Sequence, residues 1–356
     1  MIIFGGLIVL LSFLGIYRSR CGKSSDIDYM SLNMTNSIKG VFLCMVFLSH
    51  ICGYADFFNL YLDRPYQMVR RITGQCIVAM FLFYSGYGIM ESIKAKGINY
   101  VNKIPRHRFA KVLLQFDAAI ALFWLYRYIT GAQYGVKKMI LNFIGWDGIG
   151  NSNWYIFCIL WLYIFTYIVF KTFYGGGVFK QYIKSVIGLI VLSVLYMAFV
   201  SKLGKEIWWY DTILCYAYGM LFSLYREKIE QNVIENGKTW FFYLVTFAIG
   251  FLAAYLYKNE NTVIYETYIF CFVGLIVVFT MRYAIDSKPL QWVGENLFEL
   301  YILQRLPMMI FSRLMPWITE GWYKYLYVIL CIVATLAMAV IFKKTISRII
   351  NRALSV

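Results

Sequence analysis

The chain has 356 residues, 61% of them apolar and only 15% charged, a balance that excludes a soluble globular surface. Its formal charge of +16 would suit a nucleic-acid binder, but the basic residues fall in short connectors between apolar runs, as membrane topology alone requires. Nucleic acid is therefore set aside, and the lipid bilayer is the first expected partner. The runs continue to the C-terminus, so the length is read as one all-α, polytopic membrane bundle rather than two soluble domains. The 8 cysteines form no CxxC or Cys/His ligand pattern, and no metal is expected.

The first apolar run, Ile2 to Tyr17, is followed by Arg18, Arg20 and Lys23. A secretory signal carries its charge before the apolar run, so this one reads as an uncleaved span. The polar connector Cys21–Ser37 then leads into a central helix expected over Ile38–Tyr54. Residues 1–35 thus form an added N-terminal helix and connector, and 36–356 the main membrane domain. Further spans are expected near Ile72–Met90, Val112–Ile129, Trp154–Phe170, Val186–Val200 and Trp208–Leu224. Trp240–Tyr257, Tyr268–Tyr283, Leu297–Met315 and Tyr323–Phe342 complete about eleven, ten core helices plus the N-terminal one. Val136–Gly145 reads as re-entrant or interfacial, and Gly175–Gly177 is too short for a phosphate loop.

Connector charge sets the orientation. Lys39, Lys94, Lys96, Lys103, Arg106, Arg108 and Lys111 belong to the richer alternate set, which ends at Lys343, Lys344, Arg348 and Arg352. The positive-inside rule makes that set cytoplasmic, with the N-terminus outside the cell membrane and the C-terminus inside.

The chemistry concentrates on Lys39–His50, KGVFLCMVFLSH. Eleven residues of helix are roughly 16 Å, so with Lys39 at one membrane face His50 lies near the midplane or beyond. An intramembrane imidazole is a candidate proton exchanger, against the alternative of a plain interhelical hydrogen bond. Asp117, in LLQFDAAIAL, is expected to orient an imidazole or to hold Arg127 or Lys111. Arg106, Arg108 and Lys111 are either phosphate ligands or topology anchors. Glu299 and Arg305, six residues apart, are read as sharing a polar channel. Ser85, Gly86 and Tyr87 form a small-residue break where helices approach closely, and Asn153 and Trp154 border either the interface or an external cleft.

In this order the pieces resemble the family-3 membrane acyltransferases, which O-acylate envelope polysaccharides and related glycans. Lys39-x10-His50 matches the family's basic residue and histidine, with lysine for the usual arginine, and Phe81–Tyr87, FLFYSGY, matches FxxSG[FY]. Arg108-Phe109-Ala110-Lys111 stands for RxxR, Asn153-Trp154-Tyr155 for the tryptophan-aromatic element, and Tyr301-Ile302-Leu303-Gln304 for YLLH with glutamine replacing histidine. The resemblance implies acyl transfer from cytoplasmic acyl-CoA, most often acetyl-CoA, to a hydroxyl of a glycan or lipid-linked saccharide. With it, His50 is expected as base or nucleophile; the reading of the residues themselves adds Asp117 as its orienting partner and gives Lys39, Arg106, Arg108 and Lys111, all on the cytoplasmic side, to the donor. Ser85, Tyr87, Asn153, Trp154, Glu299 and Tyr301 fall to substrate binding. A transporter of a lipid-linked or small anionic substrate with an intramembrane proton relay is the alternative, with a non-catalytic assembly component behind it. Homo-oligomer formation is left open.

Overall fold

The computed structural model describes residues 1–18, 28–57, 63–176, 178–234 and 237–355. Arg20, Cys21, Lys23 and Gly177 lie outside the described residues. The chain folds as an all-α bundle with one two-stranded ribbon. Among the described residues eight helices are long and apolar enough to cross a membrane, and the 13-residue α1 (Ile2–Leu14) is shorter.

The chain leaves α1 through the strand β1 (Ile16–Arg18) and enters α2 (Leu32–Ile51). The start of α2 is set by Ser31, whose side chain accepts from the Met34 amide and satisfies one of the donors left open at a helix start. The helix therefore begins six residues before the expected Ile38 and ends three before Tyr54. Lys39 lies well inside it, and His50 sits one residue from its end.

α3 (Arg64–Thr73) is a short amphipathic helix with apolar and basic faces. α4 (Cys76–Lys96) returns and stops at Gly97, whose φ of +60° turns the chain directly into α5 (Ile98–Ile104). Sequence reading expects a connector over Asn99–Lys111, but the structure is helical throughout. Pro105 has no amide hydrogen to donate, and a π-turn over Pro105–Ala110 relieves the mismatch before α6 (Lys111–Ile129).

α7 (Val136–Phe143) is a short helix within the stretch read as re-entrant or interfacial, followed by α8 (Trp154–Phe173) and α9 (Phe179–Lys202). α10 (Leu214–Ile234) carries Arg226, Glu227, Lys228 and Glu230 in its second half, which lowers its hydropathy below that of the eight long spans. α11 (Gly237–Tyr257) and α12 (Thr262–Arg282) form a hairpin, and β2 (Tyr283–Ile285) pairs antiparallel with β1, Tyr17 opposite Ala284. The expected single span Leu297–Met315 is instead the last part of a broken passage: α13 (Lys288–Glu295), α14 (Leu297–Leu303) and α15 (Arg305–Leu314). α16 (Tyr323–Phe342) and α17 (Arg348–Ala353), joined by a π-turn, close the chain.

Two helix pairs approach at backbone distance, and each is built by reciprocal glycines. Gly86 of α4 lies on the Tyr216 carbonyl of α10, while Gly219 of α10 lies on the Phe83 carbonyl of α4. Gly40 of α2 meets the Leu290 carbonyl of α13, and Gly294 of α13 meets the Asn36 carbonyl of α2. A Cβ at any of the four collides with a backbone oxygen, so small residues fix these crossings as they do in membrane bundles generally. Gly88 has open space around it and takes no part. The pairs α4/α10 and α2/α13 thus form the rigid frame on which the polar residues are mounted.

Candidate active site

Alternating passages give the bundle two ends. Lys39, Arg108, Lys111 and Lys343 mark a basic end; the C-terminus of α2 and the start of α8 mark the far end. At the far end His50 is half-buried, and its Nδ1 is shut from solvent with no hydrogen-bond partner. Its ring lies 6.4 Å from that of Tyr301, inclined at 52°. The Tyr301 hydroxyl is also buried without a completed hydrogen bond, close to the equally unpartnered Ser152 hydroxyl. Asn151 Nδ2 and Arg305 Nε are unpartnered too. Folded proteins satisfy nearly all buried polar groups, so five orphans in one locality mark a place built for something else to bind.

Local structure explains how they meet. The loop before α8 is pinned by Asn153 Nδ2 donating to the Gly145 carbonyl at 3.0 Å and by the Ile149 amide donating to Asn151 Oδ1 at 2.9 Å. Arg127 Nε donates to the Ile149 carbonyl at 2.8 Å. That loop hangs Asn151 and Ser152 over the α14/α15 break. There Gln304 ends α14, and Arg305 begins α15 with its guanidinium 5.9 Å above the Tyr54 ring.

A line of aromatics runs from His50 back toward the basic end. Tyr155 of α8 stands edge-on to Tyr301 at 5.4 Å and to Phe81 at 6.2 Å. Farther along α8, Tyr163 acts electrostatically on both Tyr155 and Arg108, and Ser85 faces its hydroxyl. Arg108 Nε donates to the Tyr100 hydroxyl at 3.0 Å. Polar groups on α2, α14, α8, α4 and the π-turn therefore connect the two ends.

The Arg108 end opens as a cavity of about 180 Å³ lined by Lys96, Asn99, Tyr100, Lys103, Ile104, His107 and Arg108. The π-turn is what turns both His107 and Arg108 toward it. Four basic side chains around a small polar cleft suit an anion such as a phosphate.

Residues 35–344 match the acyltransferase domain shared by the family 3 acyltransferases, which covers most of the chain. The chain belongs to that family. It is accordingly a multi-pass membrane acyltransferase. No curated protein and no solved structure matches it.

Set on this acyltransferase frame, the expected site residues divide. His50 and Tyr301 share the far-end cluster, Arg108 lines the basic cavity, and Ser85 lies on the line between them. Asp117 is brought to neither His50, Arg127 nor Lys111: Arg127 is held by the Ile149 carbonyl, Lys111 acts with Glu299, and Asp117 Oδ1 is buried without a partner. Arg106 turns to the C-terminal helix, reaching the Ala353 carbonyl and Ser355 hydroxyl at 3.5 Å. Lys39 lies half-buried where α2 crosses α13, with Glu295 as its nearest influence.

The Glu299–Arg305 channel is corrected by the helix break. Glu299 accepts from Ser347 at 3.1 Å near the basic end, whereas Arg305 donates to the Asn151 carbonyl at 3.4 Å at the far end. Tyr87 accepts from Arg226 at 2.7 Å, and Asn153 serves the loop. Trp154 stacks edge-on with Tyr155 at 6.0 Å. Sequence reasoning missed Asn151 and Ser152, and Arg70, whose Nε donates at 3.0 Å to the hydroxyl of Ser49 beside His50. The polar run GNSN pointed at the first two, but nothing in the spacing tied Arg70 to His50.

Proposed function

We propose that this acyltransferase moves an acyl group, acetyl by preference, from acyl-CoA to a hydroxyl of an envelope glycan or lipid-linked saccharide. The observation that carries the reading is the polar line joining a basic cavity at one end to an unpartnered histidine at the other. CoA is polyanionic at one end and reactive at the other, so a phosphate-sized basic cleft and a distant base fit its shape. The excess of Lys and Arg in the connectors at the basic end supports a cytoplasmic basic end, with the N-terminus outside and the C-terminus inside.

His50 takes the proton of the acceptor hydroxyl as its oxygen attacks the thioester carbonyl. Tyr301 and Ser152 offer hydroxyl donors to the oxygen that becomes negative. Collapse breaks the C–S bond, and the departing thiolate recovers the proton from His50. An acyl-histidine, with His50 as nucleophile, divides the same exchange into two steps. Asp117 has no place in either route.

The test uses purified protein in nanodiscs with radiolabelled acetyl-CoA and envelope glycan, and measures substrate export separately in vesicles. Label in glycan that requires His50 supports the proposal. Export without acyl transfer would favour the transporter reading and overturn it.

A further inference from the structure

His50 is flanked by two arginines, and no acid among the described residues answers them. Arg305, on α15, and Arg70, on α3, are the charged groups that act on the imidazole among the described residues. Arg70 Nε donates to the hydroxyl of Ser49, the residue beside His50, at 3.0 Å. Arg305 makes one long contact to the Asn151 carbonyl, lies over Tyr54, and leaves Nε buried and unpartnered. Neither arginine is in an ion pair among the described residues. Asp63 is the carboxylate that shares the Cys52 neighbourhood with Arg70, but Lys324 (3.8 Å) and Tyr325 (3.3 Å) already engage it.

Two cations beside one neutral-capable base, in a part of the bundle where charge is costly, are an incomplete arrangement. Arginine's planar fork is the group suited to carboxylates and phosphates, and here it has donors to spare. The basic cavity for the donor's phosphates lies at the opposite end, so the missing anion is not supplied from there.

We infer that Arg70 and Arg305 form an anion subsite for the acceptor, which bears a carboxylate or phosphate close to the hydroxyl that is acylated. The inference rests on the reading of His50 as the acceptor-side base. It narrows the substrate class from glycans in general to acidic ones: a uronate-type residue, or a saccharide still carrying its lipid phosphate. Binding the anion pulls the acceptor between the two arginines and brings its neighbouring hydroxyl to the imidazole. The orphaned Asn151 amide and Ser152 hydroxyl face the same place and complete the polar lining.

The experiment titrates the full chain in nanodiscs, without acetyl-CoA, with hexyl glucoside, hexyl glucuronide and hexyl phosphate, followed by tryptophan fluorescence. One or both anionic probes should bind about tenfold or more tighter than the neutral one, because charge-assisted hydrogen bonds to a guanidinium are stronger than neutral ones. Preference for glucuronide points to a carboxylate on the sugar, preference for phosphate to a lipid-linked acceptor; either supports the subsite. Arg70→Gln and Arg305→Gln should each erase the preference, Arg305→Lys should keep part of it, and Lys137→Gln on the exposed face of α7 should leave it intact. Arg70 is partly exposed, so its variant tests the subsite even if Arg305→Gln does not fold. Equal binding of all three probes, or a preference that survives the Arg70 and Arg305 variants, overturns the inference. Acetyl transfer by the wild type is scored separately: transfer without anion preference sinks the subsite alone, and anion preference without transfer sinks the acyl-CoA reading alone.

Discussion

Two polar clusters in this protein contain arginine and tyrosine, and they are built in opposite ways. Around Arg226 every guanidinium nitrogen is used, although the hydroxyl of Tyr29 beneath it is buried without a partner: Nε reaches Glu230 at 2.6 Å, one terminal nitrogen reaches Tyr87 at 2.7 Å, and Asp28 takes both terminal nitrogens. Around His50 the imidazole, Tyr301, Ser152, Asn151 and Arg305 all retain unpartnered buried atoms. A satisfied network stabilises a fold and gains little from a ligand. An unsatisfied one costs folding energy until something arrives to complete it. On the proposed function, the difference separates the residues that hold the bundle from those that act.

The sharpest way to break that contrast is His50→Gln. The amide keeps a hydrogen-bonding group of similar size but does not take up a proton near neutral pH. Loss of a general base costs about 10²–10⁴-fold in rate, so transfer should fall at least a hundredfold while the thermal midpoint of the purified protein holds. A parental rate would show that the orphaned imidazole is structural after all.

The next effect belongs to the donor cavity. Arg108→Ala removes a cation that is met equally in ground and transition states, so the KM for acetyl-CoA should rise about tenfold with kcat nearly unchanged. Arg106→Ala, which severs only contacts to the C-terminal helix, should leave that KM within about twofold. Steady-state kinetics on the pair decides whether the π-turn has sorted the two arginines as the geometry says.

How much of this was legible beforehand follows from the kind of interaction involved. Apolar runs of nearly twenty residues announce membrane helices because the bilayer demands them; among the described residues eight are long and apolar enough to span, and the expected eleven are approached only by adding the short α1, the more charged α10 and the broken α13–α15 passage. Gly86 was legible as a helix contact because small-residue packing is local in sequence. Asp117 was not, because spacing along one helix says nothing about which neighbour it faces. The Glu299–Arg305 channel failed for a related reason: periodicity assumes an unbroken helix, and the chain breaks at Gln304. Arg70 sits on a short helix outside the long spans, and only the return of α3 toward the end of α2 brings it to Ser49 and His50.

A smaller change sharpens the comparison from the other side. Tyr301→Phe deletes a hydroxyl that has no protein partner, so the fold should lose nothing and should gain up to about 1 kcal/mol. If that hydroxyl serves the developing oxyanion, kcat should drop roughly tenfold or more. Stability and rate moving in opposite directions is the signature of a group kept unsatisfied for function. A variant that loses both would place Tyr301 among the structural tyrosines.

The smallest effect is expected at Arg226, and it should be the mirror image. Arg226→Met keeps the side-chain length and much of its contact with Tyr29, over whose ring the guanidinium lies at 5.1 Å. It strips Glu230 and Asp28 of their cation and Tyr87 of its donor. Hydrogen bonds to charged groups contribute roughly 1.5–3 kcal/mol when buried, but these carboxylates are 26% and 47% exposed and recover much of that from water. The net loss should therefore be about 1–2 kcal/mol, a fall of a few degrees in the thermal midpoint. Since the network lies at the basic end, apart from both the cavity around Tyr100 and the His50 cluster, kcat and both KM values should stay within about twofold of the parent. A large drop in kcat from Arg226→Met at unchanged stability would mean that an arginine with every nitrogen engaged can also be an acting one, and the distinction drawn from unpartnered atoms would fail.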